Sequence, residues 1–389
     1  METTLVTLRR IVTRGGLAAV ALACLSGTAL AEQARPADKA DSAGKAEPKD
    51  QPPLTRETID GATFSAPKED EKTEKTAGRD KAPQPLLIKV QVLLDRGHAS
   101  PGAIDGRDGD NMRAALTAFA AIQNLPKPTG LSADLLDKLQ AASTGPVLAE
   151  YTISEADAAG PYVDKIPAKM EDQSDLDAMG YTSPREMLAE RFHMAPDLLT
   201  ALNPNADFGR TGTSILVAAV KPMETGKPGD SDKKESGKKE PGKKDSEKPE
   251  KDIVRIAVDK DSHQVRAFSK DGTLRATYPA SIGSEEKPAP SGEATVEGVA
   301  FRPTYTYNPK YKFDGVKSKS KFTIAPGPNN PVGLVWIDLS IPSYGIHGTP
   351  EPEKVGKTES HGCIRLTNWD ARDLASRTER GAKVEFADK

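Results

Sequence analysis

The sequence contains very little cysteine. Its 389 residues include two cysteines, Cys24 and Cys363. Cys24 lies within a predicted export signal, described below, so the mature chain would keep one thiol and form no intramolecular disulfide. A disulfide-stabilised fold is therefore excluded, and an unpaired cysteine in an exported protein needs a chemical explanation.

The sequence also lacks metal-ligand spacing and a strong excess of charge. None of its five histidines stands in an H-x-x-x-H pattern, and there is no C-x-x-C pair. We therefore expect no metal site and no cofactor. The formal net charge of -3 and the isoelectric point near 6.1 give no support for a protein that binds nucleic acid.

Long hydrophobic runs are absent too. Hydrophobic residues make up only 36% of the chain, so we expect much of it not to pack. The apolar stretch over residues 16–25 is too short to span a bilayer as a stable helix. It follows a basic region and precedes a small-x-small sequence that ends at Ala31, and these features predict a cleaved secretory signal over residues 1–31.

The predicted signal implies an exported protein of the periplasm or cell envelope. Alternatives stay open at this point. The apolar stretch could be an anchor or a buried helix, and the residues around Cys24 weakly match a lipidation sequence. Arg9 and Arg10 hint at twin-arginine export.

Two segments have the composition of flexible chain. Residues 32–85 are rich in Ala, Lys, Asp, Glu and Pro with almost no apolar periodicity, so we predict a disordered linker. Residues 221–252 carry ten Lys and nine Asp or Glu among Gly, Pro and Ser, and are predicted to form a charged flexible linker. Such a tether would let the last domain move while upstream modules stay docked.

Residues 86–142 show apolar residues at helical spacing, which predicts three short helices. The segments S-P-G-A-I-D-G and T-G-L-S-A-D-L-L-D-K-L resemble those of a small three-helix peptidoglycan-binding module. The resemblance is imperfect at Met112 and at Ala120, which follows Phe119. A bare helical spacer is the alternative.

Residues 150–220 resemble a LysM-type glycan-binding unit. The resemblance rests on a predicted helix pair followed by L-N-P and a closing strand at G-T-S-I-L-V. His193 lies on a predicted amphipathic helix, and we interpret it as a packed or surface residue and not as a ligand.

Residues 253–388 are predicted to form a mostly β catalytic domain. Apolar and polar residues alternate in I-V-R-I-A-V-D, L-V-W-I-D-L and A-K-V-E-F, which is typical of strands. A short helix is predicted over residues 369–377. The fold class is therefore a multidomain chain, with a small α-helical module and an α/β unit before the β domain.

The stretch over residues 347–366 contains His347, His361 and Cys363. A thiol becomes a nucleophile when a neighbour such as a histidine favours loss of its proton, and His347 and Cys363 could form that pair. The glycines between them would let the loop fold back and bring backbone N–H groups near a developing oxyanion. A buried cysteine with two unrelated histidines is the alternative.

The same stretch, with S-H-G-C at a fixed distance from H-G-T, resembles the signature of the YkuD-type L,D-transpeptidases, cysteine enzymes that cross-link bacterial peptidoglycan. Upstream motifs in the same order extend the resemblance over about the last third of the chain, namely I-A-V-D, T-Y-P-A-S-I-G, P-A-P-S-G, N-P-K-Y and P-G-P-N-N-P-V-G. The resemblance implies a β-sandwich-like sheet bent around the cysteine pocket.

The resemblance also implies roles for individual residues. Cys363 would be the nucleophile, His347 the base, and the carbonyl of Gly348 would orient His347. The N–H groups of Gly362 and Cys363, with His361, would stabilise the oxyanion. Ser360 would shape the pocket, and Arg365 would bind a substrate carboxylate or form a structural ion pair.

In such an enzyme the cysteine attacks the third residue of a peptidoglycan tetrapeptide stem, releases D-Ala and forms a thioester. An amine acceptor gives a 3-3 cross-link or attaches an envelope protein to the wall, and water gives a carboxypeptidase. These reactions belong to peptidoglycan biosynthesis, cell wall organisation and cell shape. A non-catalytic wall-anchoring protein and an ordinary cysteine peptidase are rival interpretations.

Overall fold

The computed structural model describes residues 53–65, 82–226, 250–284, 287–311, 316–358 and 362–387. The predicted export signal, and most of the two predicted linkers, lie outside these residues. All described residues belong to one compact unit that begins at Pro52. Within these ranges, no helix is both long enough and apolar enough to cross a membrane.

The upstream helical part begins earlier than the sequence predicts. Helix α1 (Arg56–Asp60) falls in the segment predicted to be disordered, yet Ile59 is fully buried. The Lys89 ammonium donates to the carbonyl oxygens of Asp60 and Ala62, at 2.8 and 2.9 Å, and holds the end of this helix. The prediction of disorder is therefore wrong for this piece, because tertiary contacts order a segment too short to show a periodic pattern.

Three further helices follow and match the predicted three-helix region. They are α2 (Pro85–Arg96), α3 (Asp110–Ile122) and α4 (Ala133–Ala142). Pro85 occupies the first turn of α2, where its missing N–H costs nothing, and the Ser132 hydroxyl caps α4 by accepting from the Leu135 N–H. Their apolar faces meet in one buried cluster.

The next part has the order strand, helices, strand. Its elements are β1 (Leu148–Thr152), α5 (Glu155–Ala159), α6 (Met170–Gln173), α7 (Pro184–Arg191), α8 (Pro196–Leu202) and β2 (Ser214–Ala218). Strands β1 and β2 pair antiparallel. The Asn203 amide bonds both backbone groups of Leu216, at 2.7 and 2.8 Å, and so ties the end of α8 to β2. The helix pair and the closing strand lie where the sequence predicts them, whereas the LysM-type identity and glycan binding stay predictions; this segment is called the LysM-like part below.

His193 is not on a helix, contrary to the sequence prediction. It follows α7 with a positive φ of 59°. Its Nδ1 lies 2.9 Å from the Asp95 carboxylate, and its ring stacks on Trp369 of the β domain with 5.1 Å between ring centroids. The residue is packed, as interpreted.

The mostly β domain is confirmed, with one helix before its last strand. Its strands are β3 (Ile253–Asp259), β4 (Gln264–Phe268), β5 (Leu274–Pro279), β6 (Ser281–Ile282), β7 (Gly292–Phe301), β8 (Tyr305–Tyr307), β9 (Phe322–Ile324), β10 (Val335–Leu339), β11 (Gly345–His347), β12 (Ile364–Arg365) and β13 (Thr378–Ala387). The helix is α9 (Asn368–Arg377), capped by Thr367 and in agreement with the predicted helix to within one residue.

Nine of these strands form one sheet in the order β5-β4-β3-β13-β7-β10-β11-β12-β6. Strands β5 and β6 stand at opposite edges of that order, although only Ala280 separates them along the chain. One residue spans at most about 3.6 Å. The two edges must therefore approach each other, and the sheet curls until it nearly closes around its core.

The upstream parts pack directly on the β domain. The N–H of Ser100 donates to the Thr277 carbonyl at 3.0 Å, and the Thr277 N–H donates to the His98 carbonyl at 2.9 Å, so this segment covers the β5 edge. Asn111 of α3 donates to the carbonyl of Val355 at 2.9 Å. These contacts contradict the expectation that the last domain moves on a flexible tether while the upstream modules stay docked. The expectation rested on the composition of the linker, which carries no information about the surfaces that pack together on either side of it.

Gly327 of the β domain packs closely against the backbone of Met179 in the upstream part, and a substitution there tests this packing. A Cβ at Gly327 would lie 2.0 Å from the carbonyl oxygen of Met179, and its φ of +155° disfavours other residues. We expect Gly327→Ala to lower the free energy of unfolding by about 1–3 kcal/mol, measured by thermal denaturation. Gly298→Ala is the control, since a Cβ there meets no atom within 4 Å. Equal melting temperatures for both variants would show that this contact is absent in solution.

Candidate active site

Two short parallel strands bring the predicted histidine and cysteine together. Strand β11 pairs with β12 so that Ile346 faces Ile364 and His347 faces Arg365. Both isoleucines are fully buried in the core. Because side chains alternate along a strand, His347 and Arg365 project to the opposite face, and so does Cys363, two residues before Arg365. Cys363 directly precedes β12 and stands two residues along from the partner of His347, so the two residues are diagonal to each other across the strand pair, with Cα atoms about 8 Å apart.

His347 is held as a neutral imidazole of fixed orientation. Its side chain is 4% exposed, and its Nδ1 lies 2.6 Å from the carbonyl oxygen of Gly348. Because a carbonyl can only accept, Nδ1 carries the proton and Nε2 is the acceptor. Burial lowers the pKa of His347 to about 4, the Gly348 carbonyl opposes this shift, and the Arg365 cation adds to it. The Trp336 ring stacks on the imidazole with 5.5 Å between ring centroids.

Cys363 is half-buried and is a thiol at neutral pH. Burial raises its pKa, while a hydrogen bond from the Gly345 backbone and the charge of Arg365 act in the opposite direction. Its Sγ lies 4.0 Å from the carbonyl oxygen of Ser343. At neutral pH both groups are therefore uncharged, a thiol and an imidazole, and not a thiolate with an imidazolium. In such a pair the histidine must remove the proton during attack.

Two tyrosines that the sequence analysis did not single out lie in the electrostatic environment of Cys363. Burial and the neighbouring cysteine raise the pKa of Tyr305 to about 12 and raise that of Tyr344 above its ordinary value. The Tyr344 hydroxyl is buried without a hydrogen-bond partner among the described residues. The only sequence signal for Tyr344 was its position directly before G-I-H.

Arg365 is half-buried and interacts electrostatically with Cys363, Glu351 and Tyr305. Burial lowers its pKa, which its acidic neighbours oppose. The Arg365 cation therefore lies near both the thiol and an acidic side chain. This position is compatible with binding a substrate carboxylate and with forming a structural ion pair.

Glycine is required at the positions that flank the site for two different reasons, close packing and backbone conformation. A Cβ at Gly348 or at Gly333 would lie 2.0 Å from the Asn368 side-chain oxygen, so close packing requires glycine at both. Gly362, directly before Cys363, has a φ of +121° and only Lys287 near, at 3.9 Å, so its conformation is the reason. Ser360 and His361 lie outside the described residues, and their roles stay predictions.

Metal-ligand clustering and the cavity found in the described part of the chain both fail to mark this centre. In the described ranges, no group of three or more His, Cys, Asp or Glu residues could hold a metal ion. A cavity of about 540 Å³ lies between the LysM-like part and the β domain, lined by residues such as Tyr181 and Pro328, and neither Cys363 nor His347 lines it. The site is defined by strand pairing and side-chain chemistry.

Comparison with known proteins points to the same β domain that contains His347 and Cys363. Residues 253–386 match the YkuD model, described as the L,D-transpeptidase catalytic domain. The chain is 31% identical over 132 residues to the putative L,D-transpeptidase YkuD of Bacillus licheniformis, covering 34% of this chain and 64% of that protein. It is 30% identical over 138 residues to the putative L,D-transpeptidase YqjB of Bacillus subtilis, covering 34% of this chain and 70% of that protein.

Among solved structures, L,D-transpeptidase 3 from Mycobacterium tuberculosis shares 18% identity with a TM-score of 0.30, covering 35% of this chain and 62% of that one. The chain spans less than two thirds of the length of the first curated relatives that it matches. The motif order, the matched catalytic domain and the curated relatives agree. Through residues 253–386, the chain belongs to the YkuD family of L,D-transpeptidases.

Proposed function

We propose that this protein is an L,D-transpeptidase that forms a thioester on Cys363, with His347 as the general base and peptidoglycan stem peptides as substrates. The observation that supports the proposal is the parallel pairing of β11 with β12, which sets His347 opposite Arg365, two residues from Cys363. The hydrogen bond from His347 Nδ1 to the Gly348 carbonyl supports the proposed roles, since it leaves Nε2 as the proton acceptor.

In the first half-reaction, the Cys363 sulfur attacks the carbonyl carbon of the third residue of a tetrapeptide stem while His347 takes the thiol proton. The N–H groups of Gly362 and Cys363 stabilise the oxyanion, and each such donor typically contributes about 3 kcal/mol. The carbon–nitrogen bond to the terminal D-Ala then breaks, and His347 returns the proton to the leaving amine. The products are D-Ala and a thioester.

In the second half-reaction, an acceptor amine attacks the thioester carbonyl, and the sulfur leaves as the amine proton passes through His347 back to Cys363. A stem-peptide amine gives a 3-3 cross-link, a protein amine gives wall attachment, and water gives a carboxypeptidase. Arg365 binds a substrate carboxylate beside the thiol. Export to the periplasm and glycan binding by the upstream parts complete the proposal.

The second candidate, a wall-anchoring protein without activity, is less well supported. Such a protein would need neither a cysteine nor a buried histidine on facing strands, and it would not need the Nδ1 proton to be fixed. A half-buried thiol beside an oriented neutral imidazole fits acyl transfer better than passive attachment.

A carbapenem separates these candidates, because its strained lactam acylates an activated thiol. We expect the intact protein to gain the mass of one carbapenem at Cys363, and Cys363→Ala to gain none. His347→Gln should slow acylation by about 100-fold or more, since the base is lost. Mass spectrometry after timed quenching measures both effects. An unmodified wild-type protein, or an adduct at another residue, would refute the proposal.

The pH dependence of acylation tests the neutral resting pair. Protonation of His347 removes the base, so the rate should fall as the pH drops toward about 4. Because the Cys363 pKa is raised, we expect no increase from thiolate formation between about pH 6 and about pH 8. Stopped-flow measurement of carbapenem acylation gives this profile, with circular dichroism to confirm folding at each pH. A rate that rises tenfold across the neutral range would instead indicate a thiolate nucleophile.

A further inference from the structure

The Asn368 side chain lies directly behind the turn that orients His347. It is fully buried at the start of α9, and its Oδ1 accepts from the Leu334 N–H at 2.9 Å. The same oxygen packs against Gly348, where an added Cβ would lie 2.0 Å away. The Gly348 carbonyl in turn holds His347. A shift of the Asn368 amide would therefore move the carbonyl that fixes the imidazole.

The Asn368 amide is held from the other side by a residue of the upstream part. Its Nδ2 donates to the Glu190 carboxyl at 2.6 Å and to the Pro328 carbonyl at 3.2 Å. Glu190 lies on α7 and is 7% exposed. A continuous set of close contacts thus runs from α7 through Asn368 and Gly348 to His347.

Glu190 is also unusual in its protonation. Burial raises its pKa to about 8, which the hydrogen bond from Asn368 opposes, and the neighbouring Glu186 carboxylate raises it further. The Tyr181 hydroxyl faces the same carboxyl group, and no cation is among the causes of its shift. At neutral pH a protonated carboxyl can still accept from Asn368, so a glutamine would reproduce both its charge and its shape.

We propose that Glu190 is a positioning residue for His347, acting through Asn368, so that the LysM-like part completes the active site of the β domain. This inference rests on the proposed function of His347. It assigns the upstream part a role in the acylation step, in addition to any role in binding the wall.

Glu186 provides a matched control. It lies one turn earlier on α7, and its carboxylate also accepts from an asparagine of the β domain, Asn329, at 2.8 Å. The three atoms nearest to an added Cβ at Gly348 all belong to Asn368, and none belongs to Asn329. Loss of Glu186 weakens the same interface and removes one influence that raises the Glu190 pKa, but the Glu190 carboxyl accepts from Asn368 whether or not it is protonated, so the contact behind Gly348 is kept.

The test uses carbapenem acylation of the full-length protein. Glu190→Met keeps the side-chain length but removes the acceptor, and we expect the maximal acylation rate to fall about tenfold or more with little change in the half-saturating concentration. Glu190→Gln should stay within about twofold of wild type, because the acceptor is kept. Glu186→Met should retain the wild-type rate. If Glu190→Met fails to fold, Glu190→Ala replaces it, with thermal denaturation as the check.

The route through Asn368 has its own test. Asn368→Ala should slow acylation, and adding Glu190→Met to it should cause no further loss, because residues that act as a unit are not additive. If the double variant instead loses the product of the two single-variant rate reductions, the two residues act independently and the route through Asn368 is wrong. A wild-type rate in Glu190→Met, or an equal loss in Glu186→Met, would overturn the positioning role. Absence of acylation in the wild type would instead refute the proposed function itself.

Discussion

The parallel pairing of β11 with β12 is the interaction on which the site depends. Each strand is very short, so its position is determined by burial of Ile346 and Ile364 in the core and by flanking strands. Strand β12 also pairs with β6, which follows β5 after one residue and thereby draws the two edges of the sheet together. The pairing that closes the sheet therefore also sets the positions of the proposed catalytic residues.

Burial at this junction sets the chemistry as well as the geometry. The same apolar environment that keeps His347 neutral also keeps Cys363 protonated. In the proposed mechanism these two shifts work together, because a neutral imidazole with a fixed Nδ1 proton can take the proton of a neutral thiol as the bond to carbon forms. Charge then develops only during attack, where backbone N–H groups stabilise it.

The upstream parts contribute to this geometry in more than one place. Asn111 of α3 bonds the carbonyl of Val355 in the loop between the histidine and the cysteine. Ser100 donates to Asp370 of α9 at 2.9 Å, and Glu190 bonds Asn368 at the start of the same helix. Helix α9 is therefore supported from two upstream parts, and its first residue lies against the turn at Gly348. The upstream parts, which were expected only to bind the cell wall, therefore also support the β domain through direct hydrogen bonds.

The sequence alone determined the family and the β domain, because spaced motifs and strand alternation are local properties, and it supplied the prediction of Cys363 and His347 as the pair. It also predicted the helix after the active-site loop to within one residue. It did not reveal α1, the contacts across the linker, the tyrosines in the electrostatic environment of Cys363 or the hydrogen bond between Glu190 and Asn368. These features depend on which surfaces meet when residues far apart in the chain pack together, and no local pattern encodes that. Only the tertiary structure decided them, because burial and strand register arise when the sheet closes.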